Sequence, residues 1–452
     1  MTTALAPPRT DRRFDLLSLG TFVIVGLPDG MLGTAWPAMR QSFGVPVGDL
    51  GLILLVNTIG SIVVAAFVGR LIQRLGVSVL LAVAASCAAL GGIGYAVAPG
   101  LWLVLTVGPL LGAAAGMMDG GLNTAIALTG RPRLLNLLHG FYGIGTAIGP
   151  LVVTAAILAG SWRPAYLLLV ALDLVAAVLW ALHHRRAPAP AVIRSPAETS
   201  TGQRADATDP AAAWSRRRIV SVLTFGLIVF FVYTGLEVSA GQWETSYLRG
   251  HLGLSASAAG LAAFGYWGAL TAMRIGLALP AKPVPPRLVI GGGMTVSVAA
   301  TALIWWQPST AVVVTGFVIL GAALAGIFPA LIAATPQRIG EQRARHAIAW
   351  QVGAAAAGGS GLSALIGLLI DRTSLAILGP DILILAVLLV LANTALARLA
   401  PIGSVHDSGL RSAALRFLTA PQAISGSGSG RFSASPRRAR DACPARDSQL
   451  LR

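Results

Sequence analysis

RPRLLNLLHGFYGIGTAIGP (131–150) and RARHAIAWQVGAAAAGG (343–359) are two passages of this chain written to one plan. Each opens on two arginines one residue apart, passes a histidine (His139 or His346), and runs into an apolar stretch spaced with glycines. Arginines mark a water-facing surface, and small residues at helical spacing let helix backbones pair closely inside a bilayer. Each passage therefore enters an apolar medium within a few residues. One lies in each half of the chain, and the two halves read as diverged copies of one unit.

Outward from these passages, apolar runs of about 20 residues, enough to span a bilayer, recur along the chain. In the first half they fall at 14–37, 50–69, 76–97, 101–129, 134–159 and 164–182. In the second half they fall at 219–246, 256–279, 287–306, 309–335, 346–370 and 381–400. The expected fold is an all-α membrane protein of twelve transmembrane helices in two six-helix pseudo-repeats. The expected organisation is an N-terminal segment at 1–13, a first six-helix half at 14–182, a linker at 183–218, a second half at 219–400 and a basic tail at 401–452. The linker is rich in Ala, Pro, Thr and Arg, with a short amphipathic helix expected near Trp214. The Ser-, Gly- and Arg-rich tail has the composition of a disordered segment.

Composition supports a lipid-facing chain. It is 55% hydrophobic and 11% charged, against about a quarter charged in soluble domains. The formal net charge of +16 does not point to nucleic acid, because Lys and Arg occur in short bursts between apolar runs rather than along one face. The two cysteines, Cys87 and Cys443, provide no disulfide framework or metal-ligand spacing. No nucleophile elbow or phosphate-cradling loop is present, and GGGM (291–294) lacks the spacing of a nucleotide site. An enzyme, a metal centre and a cofactor are not expected. Arg9, Arg12 and Arg13 precede the first apolar run, and no small-residue cleavage site closes it, so it reads as a retained span.

Orientation follows from the basic residues, which concentrate on the cytoplasmic side of membrane proteins. With linker and tail set aside, thirteen fall on the face that holds both termini and four, Arg40, Arg163, Arg249 and Arg372, on the other. Both termini are therefore expected in the cytoplasm, with the chain in a bacterial-type inner membrane.

Acids inside the spans are the candidate functional groups, since a carboxylate at mid-bilayer costs about 2.5–3.5 kcal/mol on insertion scales. At about 1.5 Å per residue, flanking arginines act as a ruler. Asp119 lies 12 residues from Arg131; Glu237 lies 19 from Arg218 and 12 from Arg249; Asp29 lies 16 from Arg13 and 11 from Arg40. All three fall near mid-depth. Glu244, five residues from Arg249, belongs by the same ruler to the outer mouth. Asp173 also falls at mid-depth and reads as structural. Tyr233, Glu237, Gly241 and Glu244 share a helical face, and Asn123 stands one turn from Asp119.

Hydroxylated solutes need amides and acids for their hydroxyls and an aromatic face for an apolar ring. The candidates are Asn57, Asn123, Gln242 and Gln351, with Trp36, Tyr142, Trp243, Trp267 and Trp350. Packing or interfacial anchoring is the alternative for any one aromatic, and Trp305 and Trp306 read as belt residues. His139 suits either proton relay or packing.

At this point the chain resembles the major facilitator superfamily. GRLIQRLG (69–76) is similar to that superfamily's cytoplasmic loop motif, with Gly69, Arg74 and Gly76 matching and Gln73 where the motif usually carries Asp. GLPDGMLGTAWPAMRQSF (26–43), GMMDGGLNT (116–124), LLNLLHGFYGIGTAIGP (134–150), FFVYTGLEVSAGQWETSYL (230–248) and GIFPALIAATPQRIG (326–340) resemble its fucose–galactose–glucose:proton symporter branch. The likeness implies the major facilitator fold and a proton-coupled sugar carrier in which acids of spans one and four serve proton and sugar. Asp119 stands at the span-four position. In span one the branch's acid falls on Gly33, one turn after Asp29.

The expected function is alternating access by one six-helix half rocking against the other, moving a sugar or polyol with protons. Asp119 and Asp29 are the proton-coupling candidates. Glu237, Asn123, Gln351, Asn57, Tyr142, Trp243, Trp267 and Trp36 are the solute-binding candidates. The expected partners are a small-molecule solute, a proton and the lipid bilayer, and a monomer is the expected state. Two alternatives stay open: an efflux antiporter, suggested by Gly145 to Pro150, and a non-transporting receptor on a carrier fold.

Overall fold

The computed structural model describes residues 12–127, 131–186, 214–280 and 284–402. Among these residues, fourteen α-helices make twelve spans. The first half holds α1 (Arg12–Phe43), α2 (Leu50–Ala65), α3 (Val68–Leu75), α4 (Val77–Val97), α5 (Leu101–Ala127), α6 (Pro132–Leu158) and α7 (Arg163–Arg186). The second holds α8 (Arg216–Gly250), α9 (Ala256–Ala278), α10 (Pro286–Trp306), α11 (Thr310–Leu324), α12 (Ile327–Ile339), α13 (Glu341–Arg372) and α14 (Leu378–Leu399). The second span is interrupted between α2 and α3, and the tenth between α11 and α12.

Among the described residues, eleven spans are long and apolar enough to cross a membrane by length and composition. The twelfth, α9, is 23 residues long but built mainly of Ala, Gly and aromatic residues with Arg274 inside it. It needs less hydropathy because it is packed against α6, α8 and α11 rather than surrounded by lipid. Several helices outrun their apolar cores: α1 continues to Phe43, α8 starts at Arg216 and α13 starts at Glu341. Charged ends extend a helix past the hydrocarbon at no cost, so hydropathy underestimates length. Trp214 is not helical. It stacks under the Arg218 guanidinium at 4.2 Å, and the Ser215 hydroxyl caps α8 by accepting from the Arg218 N–H at 3.4 Å. The remainder of the linker, 187–213, and the tail from 403 lie outside the described residues.

The repeat seen in the sequence is present in the packing. α1 pairs with α6 as α8 pairs with α13; α2 with α5 as α9 with α11; α4 with α7 as α10 with α14. The α1–α6 crossing shows the cause. Gly26 and Gly30 lie on the backbone of Tyr142 and Thr146, while Gly145 and Gly149 lie on that of Val23 and Leu27. A Cβ at any of the four would overlap the partner helix, so only glycine permits this approach. Arg131, from the basic pair that opens the passage, clamps the start of α6 to α1 through two bonds to Asp15 at 2.7 and 2.9 Å. Between halves, α6 meets α9 as α13 meets α2, and α1 meets α8.

Candidate functional site

Breaks and close approaches bring the mid-depth acids to one place. The interruption of the tenth span at Ala325–Gly326 frees carbonyl groups that a continuous helix would satisfy. The Tyr233 hydroxyl takes the Leu324 carbonyl at 3.0 Å, and Arg274 Nε takes the Ala325 carbonyl at 3.1 Å. Both donors also engage Glu237: Tyr233 donates its hydroxyl to the carboxylate, and the Arg274 guanidinium lies 3.7 Å from it. Tyr266 fixes the same turn by donating to the Glu237 carbonyl at 2.7 Å. In the first half, Tyr142 of α6 donates to the Asp29 carboxylate of α1, and Asn123 Nδ2 donates to Asp119 Oδ1 at 2.8 Å.

These groups surround a cavity of about 480 Å³ between the halves, within the range of small-molecule sites. Asp29, Asp119 and His139 open into it from the first half, and Glu237, Arg274 and Trp267 from the second. Asn57 lines it too, its Oδ1 accepting from Tyr95 at 3.4 Å. Among the described residues the wall thus offers three carboxylates, one guanidinium, an imidazole, the amides of Asn57 and Gln242, and aromatic faces within one solute's reach.

The cavity is closed toward the face opposite the termini. There the Asp371 carboxylate accepts the Gly48 N–H at 2.8 Å across the two halves. Gly51 packs on the Ala364 backbone, and Gly367 on Gly48 and the Trp243 ring. Gln242 donates to the Asp29 carbonyl at 2.8 Å, and Thr245 lies 3.5 Å from Thr34. Toward the termini the same face of α13 is open: Ala349, eighteen residues before Gly367, and Gly353 are exposed.

This two-half cage around a central cavity is matched by a sequence signature: residues 18–364 fit the Major Facilitator Superfamily profile. The chain belongs to the major facilitator superfamily. Among curated proteins it is 27% identical over 241 residues to the hexuronate transporter of Bacillus subtilis (strain 168), covering 52% of this chain and 55% of that one. The chain thus spans about half the length of the curated relative it matches. Among solved structures it shares the fold of nucleoside transporter NupG, with TM-score 0.64, 15% identity and coverage of 86% of this chain and 99% of that one. It likewise shares that of FucP in the outward conformation, with TM-score 0.56, 16% identity and coverage of 84% and 98%. A bacterial homolog of the human lysosomal transporter Spinster matches with TM-score 0.59 at 13% identity, covering 88% and 97%.

Within this fold the sequence candidates separate. Asp29, Asp119, Glu237, Asn57, Tyr142 and Trp267 line the cavity. Asn123 stands behind Asp119 and reaches the solute space through it. Gln351 lies outside the lining, its Oε1 accepting from the Thr335 hydroxyl at 3.0 Å near the termini side. Trp36 and Trp243 are fully buried, with indole N–H groups spent on the carbonyls of Val47 (2.7 Å) and Ser363 (3.1 Å). Gly76 ends α3 with φ +75°, a left-handed turn that favours glycine, while Gly69 has open space around it and Arg74 occupies the last turn of α3. Asp173 is buried and away from the lining.

Two further expectations change. Glu244, placed by spacing at the outer mouth, is fully buried, and neither carboxylate oxygen has a hydrogen-bond partner among the described residues. Its helix continues past the presumed mouth to Gly250, which puts the residue under protein rather than at an opening. Arg274, counted only as a charge of the termini face, reaches the cavity. The signal that could have found it is a lone arginine four residues before the end of an otherwise uncharged helix.

Proposed function

We propose that this major facilitator protein is a proton-coupled uptake carrier for a small hydroxylated solute, a sugar or polyol. We further propose that it works as a monomer in a bacterial-type inner membrane, with both termini in the cytoplasm. The observation that carries this reading is the central cavity itself. Carboxylates and amides suit several hydroxyl groups, and Trp267 offers a face on which an apolar ring surface can stack. The names of the hexuronate, nucleoside and fucose carriers it resembles also belong to hydroxylated solutes. Arginine asymmetry supports the orientation.

The carboxylates divide by their surroundings. Glu237 is held by Arg274 and Tyr233, which fixes its oxygens for binding and keeps its charge balanced through the cycle. Asp119 has Asn123 as its bonded neighbour and opens into the cavity. It is the group assigned to taking up a proton on one side and releasing it on the other, with Asp29 beside it. The halves then exchange the seal at Gly48–Asp371 for one on the termini side, exposing the same cavity alternately.

Asp119→Asn tests the assignment, because it keeps the shape and removes the titration. In proteoliposomes, the variant is expected to retain counterflow of the solute and lose accumulation driven by a proton gradient. Undiminished proton-driven accumulation would remove Asp119 from coupling and pass the role to Asp29. Glu237→Gln is expected to weaken solute binding itself, by about 1–3 kcal/mol where Arg274 is left without its partner. If sugars and polyols fail to bind while a lipophilic cation does, the carrier is an exporter of such cations.

A further inference from the structure

A second cavity, of about 460 Å³, lies at the termini end between α8 and α13, away from the central site. Leu223 and Leu227 of α8 form one side; Arg343, His346, Ala347 and Trp350 of α13 form the other. We propose that this groove binds an anionic phospholipid of the termini-side leaflet, its phosphate on Arg343 and His346 and an acyl chain along Trp350.

Helix geometry places the groove on the lipid side. Ala347 and Trp350 stand eighteen residues before Leu365 and Leu368. Eighteen residues is five full turns, so the four share one stripe of α13. Leu365 and Leu368 are 50% and 55% exposed, and in a membrane-spanning helix exposed leucines are covered by lipid. Trp350, on the same stripe, is 73% exposed.

Depth and chemistry fit the two ends of a phospholipid. Arg343 lies in the first turn of α13, where the helix emerges toward water. Trp350 follows seven residues later, about 10 Å deeper, the offset between a headgroup phosphate and the upper acyl chain. Tryptophan at that level is an interfacial anchor, and basic pockets between helices at the membrane surface receive anionic headgroups. Among the described residues, no acid lines the groove. A free phosphate would meet Arg343 and His346 but leave Leu223, Leu227 and the indole wet; an amphipathic anion covers the basic and the apolar parts together. The proposal is independent of what the central cavity carries.

The test is lipid binding to the full-length, delipidated protein by native mass spectrometry, with phosphatidylglycerol, phosphatidylcholine and inorganic phosphate as probes. The wild type is expected to retain phosphatidylglycerol at least tenfold more tightly than phosphatidylcholine and to ignore inorganic phosphate. The double variant Arg343→Gln/His346→Gln is expected to bind phosphatidylglycerol no better than phosphatidylcholine. Equal binding of the two lipids by wild type, unchanged binding by the double variant, or displacement of the lipid by inorganic phosphate would each overturn the proposal. Should the double variant fail to insert, a second measurement decides. In phosphatidylcholine nanodiscs, phosphatidylglycerol brominated on its upper acyl carbons must quench the fluorescence that Trp350→Phe removes, and more strongly than brominated phosphatidylcholine at the same mole fraction. Equal quenching would show ordinary surrounding lipid and refute the site.

Discussion

Near its end at Arg372, α13 packs Gly367 against Gly48 and Trp243 and gives the Asp371 carboxylate to the Gly48 N–H; near its start, Gly353 has open space where a Cβ would stand, and Ala349, eighteen residues before Gly367 and so on the same stripe, is exposed. One helix therefore closes the gap between halves at one face and leaves it open at the other. The difference lies in residue size and partner. The closed end is made by backbone approach at glycines plus one hydrogen bond to Gly48, in the short 3-10 turn Val47–Asp49 that leads into α2. Neither element is strong. An ionic hydrogen bond contributes about 1.5–3 kcal/mol, less here because Asp371 is exposed to water. A seal of this kind is cheap to open, as the proposed alternation between faces requires.

The largest effect is expected from spoiling the close approach. Gly51→Val places a branched side chain on the backbone of Ala364, and overpacking costs about 1–3 kcal/mol, or roughly 5- to 150-fold in the ratio of closed to open. The measurement is labelling of a cysteine at Ser363, which is fully buried, by an impermeant maleimide added from the far face, with Cys87 and Cys443 replaced. Labelling no faster than in the parent would show that the seal does not depend on this contact.

A pair of changes on the one helix sharpens the contrast by sign. Gly353→Ala meets nothing and should raise the unfolding midpoint, since an alanine in an exposed helix is favoured over glycine by about 0.5–1 kcal/mol. Gly367→Ala meets the Gly48 carbonyl at 2.7 Å and Trp243 at 2.9 Å and should lower it. Thermal melts that move in the same direction would erase the distinction between the two ends.

The smallest effect is expected from Asp371→Asn, which keeps an acceptor for Gly48 and removes the charge. Cysteine labelling at Ser363 should rise only a few-fold, in keeping with about 1 kcal/mol or less for an exposed charged bond. A change as large as that of Gly51→Val would make the charge, and not the glycine packing, the principal closure.

Much of this architecture is legible in one dimension. The number of spans, the duplication around 131–150 and 343–359, and the mid-depth of Asp29, Asp119 and Glu237 follow from the sequence, because apolar length and the cost of a buried charge are properties of position along a helix. Which way a side chain faces, and what meets it there, is not such a property. Trp36, Trp243 and Gln351 have the chemistry of a solute site, but the neighbours supplied by distant segments, Val47, Ser363 and Thr335, take their polar atoms elsewhere. Arg274 looked like one more surface charge until the break at Ala325 gave it a carbonyl and Glu237 gave it a partner. Spacing puts Glu244 at an opening because it measures depth and is blind to what lies above. The chain sets depth residue by residue; rotation about the helix axis and the choice of partner are decided only when twelve helices pack together.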